Sequence, residues 1–287
     1  MWRFSNRLIF ASFAFALSIW ALALATGCPV YNEECSPIIT EPNEITGWID
    51  GDISTLKAEV RTRDNSFGQL VAEAYYNAFK SSPARLQPDV AMQNAGSIRS
   101  EGVCVPREIV KAGAVRRSVL REVMPFDNGV IVVSVTHRQL KSILERSLVA
   151  LLDENGAFMQ IYGLVVEAEC YRADAGEQLI AVTAITLGVK DASMEPLDGS
   201  EPRRIEFDED NPPSDEETVR LAVNDHIGKG NDGYTDLKVE NRVPGEVLEA
   251  GGYDFEIIAS YFRKTYSDKE HALPAKAAER WVLTNCR

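Results

Sequence analysis

Three short stretches hold the residue types that could do chemistry. The first is Ala91-Met92-Gln93-Asn94-Ala95-Gly96-Ser97-Ile98-Arg99, where an apolar run stops at a polar turn that ends on an arginine. Asn94 and Gly96 tolerate turn geometry. Gly96 and Ser97 carry little bulk, so their backbone N–H groups are expected to be open to a ligand. Arg99 offers a planar fork of donors for a carboxylate or phosphate. The second is Met124-Pro125-Phe126-Asp127-Asn128, ahead of a β-branched run. An exposed Phe126 at such a turn can stack on a flat ring; a buried one is simply core. The third runs from Asn224 to Tyr234 and contains His226 and Asp232. Each has a plain alternative: a structural salt bridge for Arg99, core for Phe126, an ordinary surface histidine for His226.

One pattern is a decoy. Gly228-Lys229-Gly230-Asn231-Asp232-Gly233 fits Gly-x-Gly-x-x-Gly. The residues after Gly233 do not read as a helix start, so the phosphate-on-helix mechanism of a dinucleotide fold lacks its helix.

These stretches need elements to hold them. Phe67, Leu70, Val71, Ala74, Tyr75, Ala78 and Phe79 recur at helical spacing, with Asp64, Asn65 or Ser66 as the cap. Leu86–Met92 reads as a strand delivering Asn94, residues 129–135 as a β-branched strand, and Val219–Val223 as a strand delivering Asn224. Thr136 can cap a helix with Leu140, Ile143, Leu144, Leu148 and Leu151 on its inner face. Residues 163–168 and 179–187 are further strands. Phe255, Ile258, Tyr261 and Phe262 mark a helix, and residues 275–281 suggest another. The acidic, proline-bearing stretch 207–217 lacks EF-hand spacing and reads as a surface loop. The alternation predicts an α/β (α+β mixed) body, a mixed β-sheet covered by helices.

The chain has 287 residues, 45% of them hydrophobic, enough for a sizeable core. Its formal net charge is −13, which argues against nucleic acid as a partner. Arg3 and Arg7 precede an almost wholly apolar stretch, Leu8 to Ala25, and Ala25-Thr26-Gly27-Cys28 follows. This resembles a bacterial lipoprotein signal, cut before a lipid-bearing Cys28. An ordinary signal peptide and an uncleaved anchor are the alternatives. All three export the chain to the cell envelope. Residues 1–27 are then the signal, 28–44 a proline-bearing tether, and 45–287 the folded body.

Setting Cys28 aside leaves Cys35, Cys104, Cys170 and Cys286, an even number for an oxidising compartment. Three pairings are possible. Cys104 with Cys170 and Cys35 with Cys286 is the favoured one, since it would pin both chain ends to the body.

The order and intervals of the three stretches resemble the C-terminal, substrate-binding domain of the 5'-nucleotidase / UDP-sugar hydrolase family. Its signatures are Asn-x-Gly-x-Ile-Arg, Pro-Phe-x-Asn and Asn-x-Phe-x-x-x-Gly-Gly-Asp-Gly-Tyr. The likeness runs from about Gly47 to the end. It implies that Phe126 and the residue at position 226 clamp a base and that Asp232 binds ribose hydroxyls. Asn94, Arg99 and Asn128 are expected on phosphate and sugar oxygens. Family members carry an arginine seven residues before a glycine at the first long helix, and Arg61 before Gly68 matches it. Lys57, four residues earlier, matches a second basic position found in some members. His226 is a departure, since the family usually has phenylalanine there; histidine stacks less well and titrates near neutrality. Asn231 replaces a second glycine.

The family's ester hydrolysis uses two metals held in a separate N-terminal domain. This chain has only His137, His226 and His271, with no Asp-x-His, Gly-Asn-His-Asp/Glu or Gly-His-x-His. The expectation is therefore a chain with no cofactor of its own, divalent metals belonging to a separate catalytic domain. It would bind a nucleoside or nucleotide and work in nucleotide breakdown with a metallophosphatase on another chain. A non-catalytic nucleoside-binding or structural envelope lipoprotein is the alternative.

Overall fold

A computed structural model describes residues 40–286, apart from 101, 103, 173–177, 200, 209, 211, 245 and 246. The export segment, Cys28 and Cys35 lie outside the described residues. The strands are β1 (Ile45–Ile49), β2 (Ile53–Ser54), β3 (Val90–Asn94), β4 (Ile109–Val110), β5 (Gly113–Arg116), β6 (Gly129–Thr136) and β7 (Met159–Tyr162). They continue with β8 (Leu164–Arg172), β9 (Gln178–Leu187), β10 (Arg203–Glu206), β11 (Thr218–Asn224), β12 (Leu248–Tyr253) and β13 (Trp281–Thr284). The helices are α1 (Lys57–Val60), α2 (Ser66–Ala78), α3 (Arg117–Val123), α4 (His137–Leu152), α5 (Asp225–Gly228) and α6 (Asp254–Thr265).

The architecture is the expected mixed α/β one. A five-stranded sheet runs β12-β6-β11-β3-β7, and a four-stranded sheet runs β10-β9-β8-β13. In the first, β11 is parallel to β3 while β6, β7 and β12 pair antiparallel with their neighbours. Helices α2 and α4 pack against this sheet, and α4 also meets β9 of the second. The chain passes from β7 to β8 at Gly163, whose φ is +83° and where a Cβ would lie 2.8 Å from the Asp89 carbonyl. Only glycine fits both the backbone angle and the close approach.

The helical stripe on α2 is core as expected: Phe67, Leu70, Val71, Ala74, Tyr75 and Phe79 are buried. Asn65 caps this helix, its side chain accepting from the N–H groups of Phe67 and Gly68. Thr136 caps α4 in a capping box with Gln139. Among the described residues, no helix is long and apolar enough to cross a membrane.

Three expectations are corrected. Residues 275–280 form no helix; they run as a loop into β13, held by Asp50, Gln69 and Asp64, which accept from the N–H groups of Ala275, Ala278 and Arg280. The strand before Asn94 begins at Val90, because Ala84–Leu86 forms a 3-10 turn. Cys170 bonds Cys286, with their Cα atoms 4.9 Å apart, so neither favoured pairing stands. The cause is strand register. Parallel β13 lies on β8 with Thr284 opposite Glu169, which carries Cys286 to the neighbourhood of Cys170. Cys104 is disulfide-bonded as well. The last residues of the expected tether are held to the body, Pro42 and Glu44 accepting from the N–H groups of Ser118 and Arg117.

Candidate functional site

The site is built at the ends of β3, β6 and β11. Strand β3 ends at Asn94, which is buried, and the chain turns through a 3-10 helix, Ala95–Ser97, to Arg99. Strand β11 ends at Asn224, whose side chain caps α5 by accepting from Ile227 N–H at 2.9 Å. Because β3 and β11 are neighbours, Asn224 Nδ2 donates to Gln93 Oε1 and Asn94 Oδ1, both at 3.0 Å. Asn94 Oδ1 also accepts from Ser97 Oγ at 2.9 Å. Its Nδ2 is thereby left to point the other way, and it donates to Asp232 Oδ2 at 3.2 Å.

The Gly-rich segment leads into no α-helix; it turns through a 3-10 helix, Asn231–Gly233. Asp232 sits at φ +56° between Gly230 and Gly233, and a Cβ on Gly233 would lie 2.6 Å from Arg146 Nε. That arginine donates to the Asp232 carbonyl at 3.1 Å, leaving the Asp232 carboxylate toward Asn94 and His226. His226 Nε2 lies 3.5 Å from Asp232 Oδ1, and Asn231 Nδ2 donates to the His226 carbonyl at 2.9 Å.

Arg61 follows α1 and is fixed from β7. The buried Gln160 carboxamide donates to the Val60 and Arg63 carbonyls and accepts from Asn65 N–H at 2.8 Å. Arg61 Nη1 reaches the Glu154 carbonyl at 3.4 Å, and its buried Nε has no partner among the described residues. Lys57 is exposed on α1 and is not in the cleft.

Arg61, Asn94, Arg99, Phe126, Asn128, His226 and Asp232 all line one cleft of about 530 Å³. Seven of the eight residues singled out from the sequence meet there, Lys57 being the exception. Phe126 is half-buried rather than core, with the Arg99 guanidinium over its ring. A roomier cavity of about 670 Å³ beside β10, lined by His137, Arg203 and Pro212 among others, contains none of the seven.

Residues 47–239 match the family model of the 5'-nucleotidase, C-terminal domain. The chain belongs to that family. It is 26% identical over 252 residues to the trifunctional nucleotide phosphoesterase protein YfkN of Bacillus subtilis, covering 84% of this chain and 15% of that protein. It is 27% identical over 184 residues to a probable 5'-nucleotidase of Treponema pallidum, covering 64% of this chain and 26% of the relative. The chain thus spans at most about a quarter of the length of these two relatives. Among solved structures, the 5'-nucleotidase precursor of Thermus thermophilus shares the fold at a TM-score of 0.62 and 22% identity, over 85% of this chain and 40% of that one. The NAD nucleotidase of Haemophilus influenzae does so at 0.58 and 17%, over 85% and 39%.

The cleft of this 5'-nucleotidase C-terminal domain has parts that sequence reasoning missed. Asp153, Glu154, Asn155 and Gly156, just after α4, form one wall. They bear no motif, and only their place after a helix brings them in. They also overturn one expectation. The Gly96 N–H is not open, because it donates to the Gly156 carbonyl at 2.7 Å. Here the two glycines pack backbone on backbone; a Cβ on Gly156 would lie 2.9 Å from Gly96 Cα.

Behind the cleft lies Asp254, wholly buried at the start of α6. Its Oδ1 accepts from Asn128 N–H at 3.2 Å and Phe255 N–H at 2.8 Å. Its Oδ2 accepts from Asn128 Nδ2 at 3.1 Å and Tyr75 Oη at 3.3 Å. Burial pushes this carboxyl up to about 6, against the pull of those hydrogen bonds.

Proposed function

We infer that the cleft binds a nucleoside or nucleotide. The base stacks between Phe126 and His226, Asp232 takes ribose hydroxyls, and Arg61, Asn94, Arg99 and Asn128 serve phosphate and sugar oxygens. The observation that supports this best is the convergence of those seven residues, distant along the chain, on one cleft of about 530 Å³. That volume lies within the usual range for small-ligand pockets. Two arginines give it a cationic side on an acidic protein, a local arrangement suited to a phosphate.

The chain works in nucleotide breakdown at the cell envelope, anchored through a lipid on Cys28. It presents its ligand to a metallophosphatase on another chain, whose divalent metals supply the hydrolysis. The sequence supports this division, since its three histidines carry none of the metal-binding spacings. Calorimetry with adenosine, AMP and UDP-glucose on metal-stripped protein tests the binding. Phosphate release from AMP after adding manganese, with and without a metallophosphatase, tests the division of labour. Binding without turnover by the chain alone is expected. No binding of any of the three rejects the reading, and hydrolysis by the chain alone rejects the division.

A further inference from the structure

Four donors meet the Asp254 carboxylate, and the pattern fixes the orientation of Asn128. Three contacts join the two residues: Asn128 N–H and Nδ2 donate to the carboxylate, and Asp254 N–H donates to the Asn128 carbonyl at 2.8 Å. An amide turned the other way would set its oxygen against a carboxylate, two acceptors facing each other. Asn128 lines the cleft, and its Oδ1 is neither bonded nor buried among the described residues.

The surroundings reinforce this polarity. Asp225 lies close by, accepting from Gly129 N–H at 3.0 Å. Arg117 and Arg121 lie over the Phe255 ring rather than on the Asp254 carboxylate. Tyr75, a further titratable neighbour, is held neutral by burial and donates a hydrogen bond to Asp254. A carboxylate behind the amide N–H groups polarises the amide and makes its oxygen a better acceptor.

We propose that Asp254 is a positioning residue of the cleft: it holds Asn128 with its amide oxygen toward the ligand, so that this corner takes a hydroxyl or amino group and rejects an ionised phosphate oxygen. The proposal rests on the reading of the cleft as a nucleoside site and reassigns one of its contacts. Phosphate is left to Arg61 and Arg99.

Asp254→Asn tests it. The new NH2 group cannot accept from Asn128 Nδ2, so the Asn128 amide turns over and shows the cleft a donor. Calorimetry near neutral pH on the full chain uses adenosine, its two monodeoxy forms and purine riboside, which lacks the ring amino group. In the wild type, whichever analogue lacks the donor taken by Asn128 binds roughly fivefold more weakly than adenosine. Asp254→Asn lowers adenosine affinity by a similar factor and erases that discrimination, and adding Asn128→Ala to it brings no further loss. Unchanged affinity and discrimination in Asp254→Asn overturn the proposal while the nucleoside reading stands.

A wild type that binds no nucleoside overturns that reading and the ligand half of the proposal. Proton exchange of the Asn128 side-chain amide, followed by NMR on the wild type, then decides the positioning half, and it does so even where the variant fails to fold. One protected amide proton supports the hold by Asp254; fast exchange of both rejects it.

Discussion

The Arg99 guanidinium carbon lies 4.6 Å from the centre of the Phe126 ring. Arg99 also directs Nε and Nη2 at the Gly96 carbonyl, the former at 3.2 Å. The ring and the carbonyl together hold the planar fork in one pose, with Nη1 carrying no bond among the described residues. Lysine keeps the charge but neither stacks nor forks. Arg99→Lys is therefore expected to weaken AMP binding roughly tenfold or more, the scale of one charge-assisted hydrogen bond, and adenosine binding less. Calorimetry with both ligands checks this; equal losses would mean that Arg99 does not meet the phosphate.

Phe126→Leu keeps most of the apolar bulk but removes the π face. Base stacking on an aromatic is worth about 1–3 kcal/mol. Adenosine affinity should fall by roughly tenfold, while a ribose phosphate without a base should lose less, since Arg99 loses the ring under it but keeps its bonds to the Gly96 carbonyl. A variant that loses both ligands equally would show Phe126 shaping the cleft rather than stacking.

The Asp254 carboxyl is raised to about 6 from 3.8. Between those values the folded chain holds a proton that the unfolded chain has lost. Its contribution to stability is full below about pH 4 and is lost as the pH rises through 6, by roughly 3 kcal/mol in all. The wild type should therefore lose about that much relative to Asp254→Asn over this range. Denaturant titrations of both proteins at several pH values measure it. Parallel stability curves would show that the buried charge is compensated by its four donors.

The candidate site was largely legible in the sequence, because six of the seven residues that meet in the cleft sit at or beside strand ends in three motifs, Arg61 being picked out by its spacing before Gly68. It is the resemblance to the 5'-nucleotidase family that implies a shared site for Asn94, Phe126 and His226, and the three line one cleft. Asp254 was not legible. It reads as an ordinary acid opening a helix, and only the packing of α6 behind β6 brings it to Asn128. The pairing of Cys170 with Cys286 was hidden for a related reason. It depends on parallel pairing between β8 and β13, and cysteine counting carries no information about register. The apparent helix at 275–281 failed because alanine content marks propensity alone, and tertiary hydrogen bonds to Asp50, Gln69 and Asp64 override it.

The Cys170–Cys286 bond closes a segment with a sequence separation of 116 residues. Linking so distant a pair restricts the unfolded chain, an effect of typically 2–4 kcal/mol. It also fastens β13, an edge strand of the four-stranded sheet, beside β8. Cys286→Ser should lower the Tm by roughly 5–15 °C. Cys170→Ser should match it, since each removes the same link. Unequal shifts between the two variants, seen by scanning calorimetry, would point to a packing role for one of the cysteines instead.

Gly156 tests whether the wall made by residues 153–156 shapes the cleft. Its carbonyl takes the Gly96 N–H at 2.7 Å, and the next residues are tied down as well, Phe158 O accepting from Ala95 N–H and Ala157 O from Tyr234 Oη. A methyl group on Gly156 would lie 2.9 Å from Gly96 Cα, and backbone, unlike a flexible side chain, cannot swing aside. Gly156→Ala must therefore push the wall away from the turn that carries Arg99. Overpacking of this kind costs about 1–3 kcal/mol of stability. The shift also moves the Glu154 carbonyl from Arg61, so AMP affinity should drop several-fold with the fold intact by circular dichroism. Asn155→Ala loses one hydrogen bond, to Ala157 N–H at 3.0 Å, and forces no backbone apart. It should cost less in both measurements, and a larger loss from Asn155→Ala than from Gly156→Ala would rule out close glycine packing as what sets the cleft width.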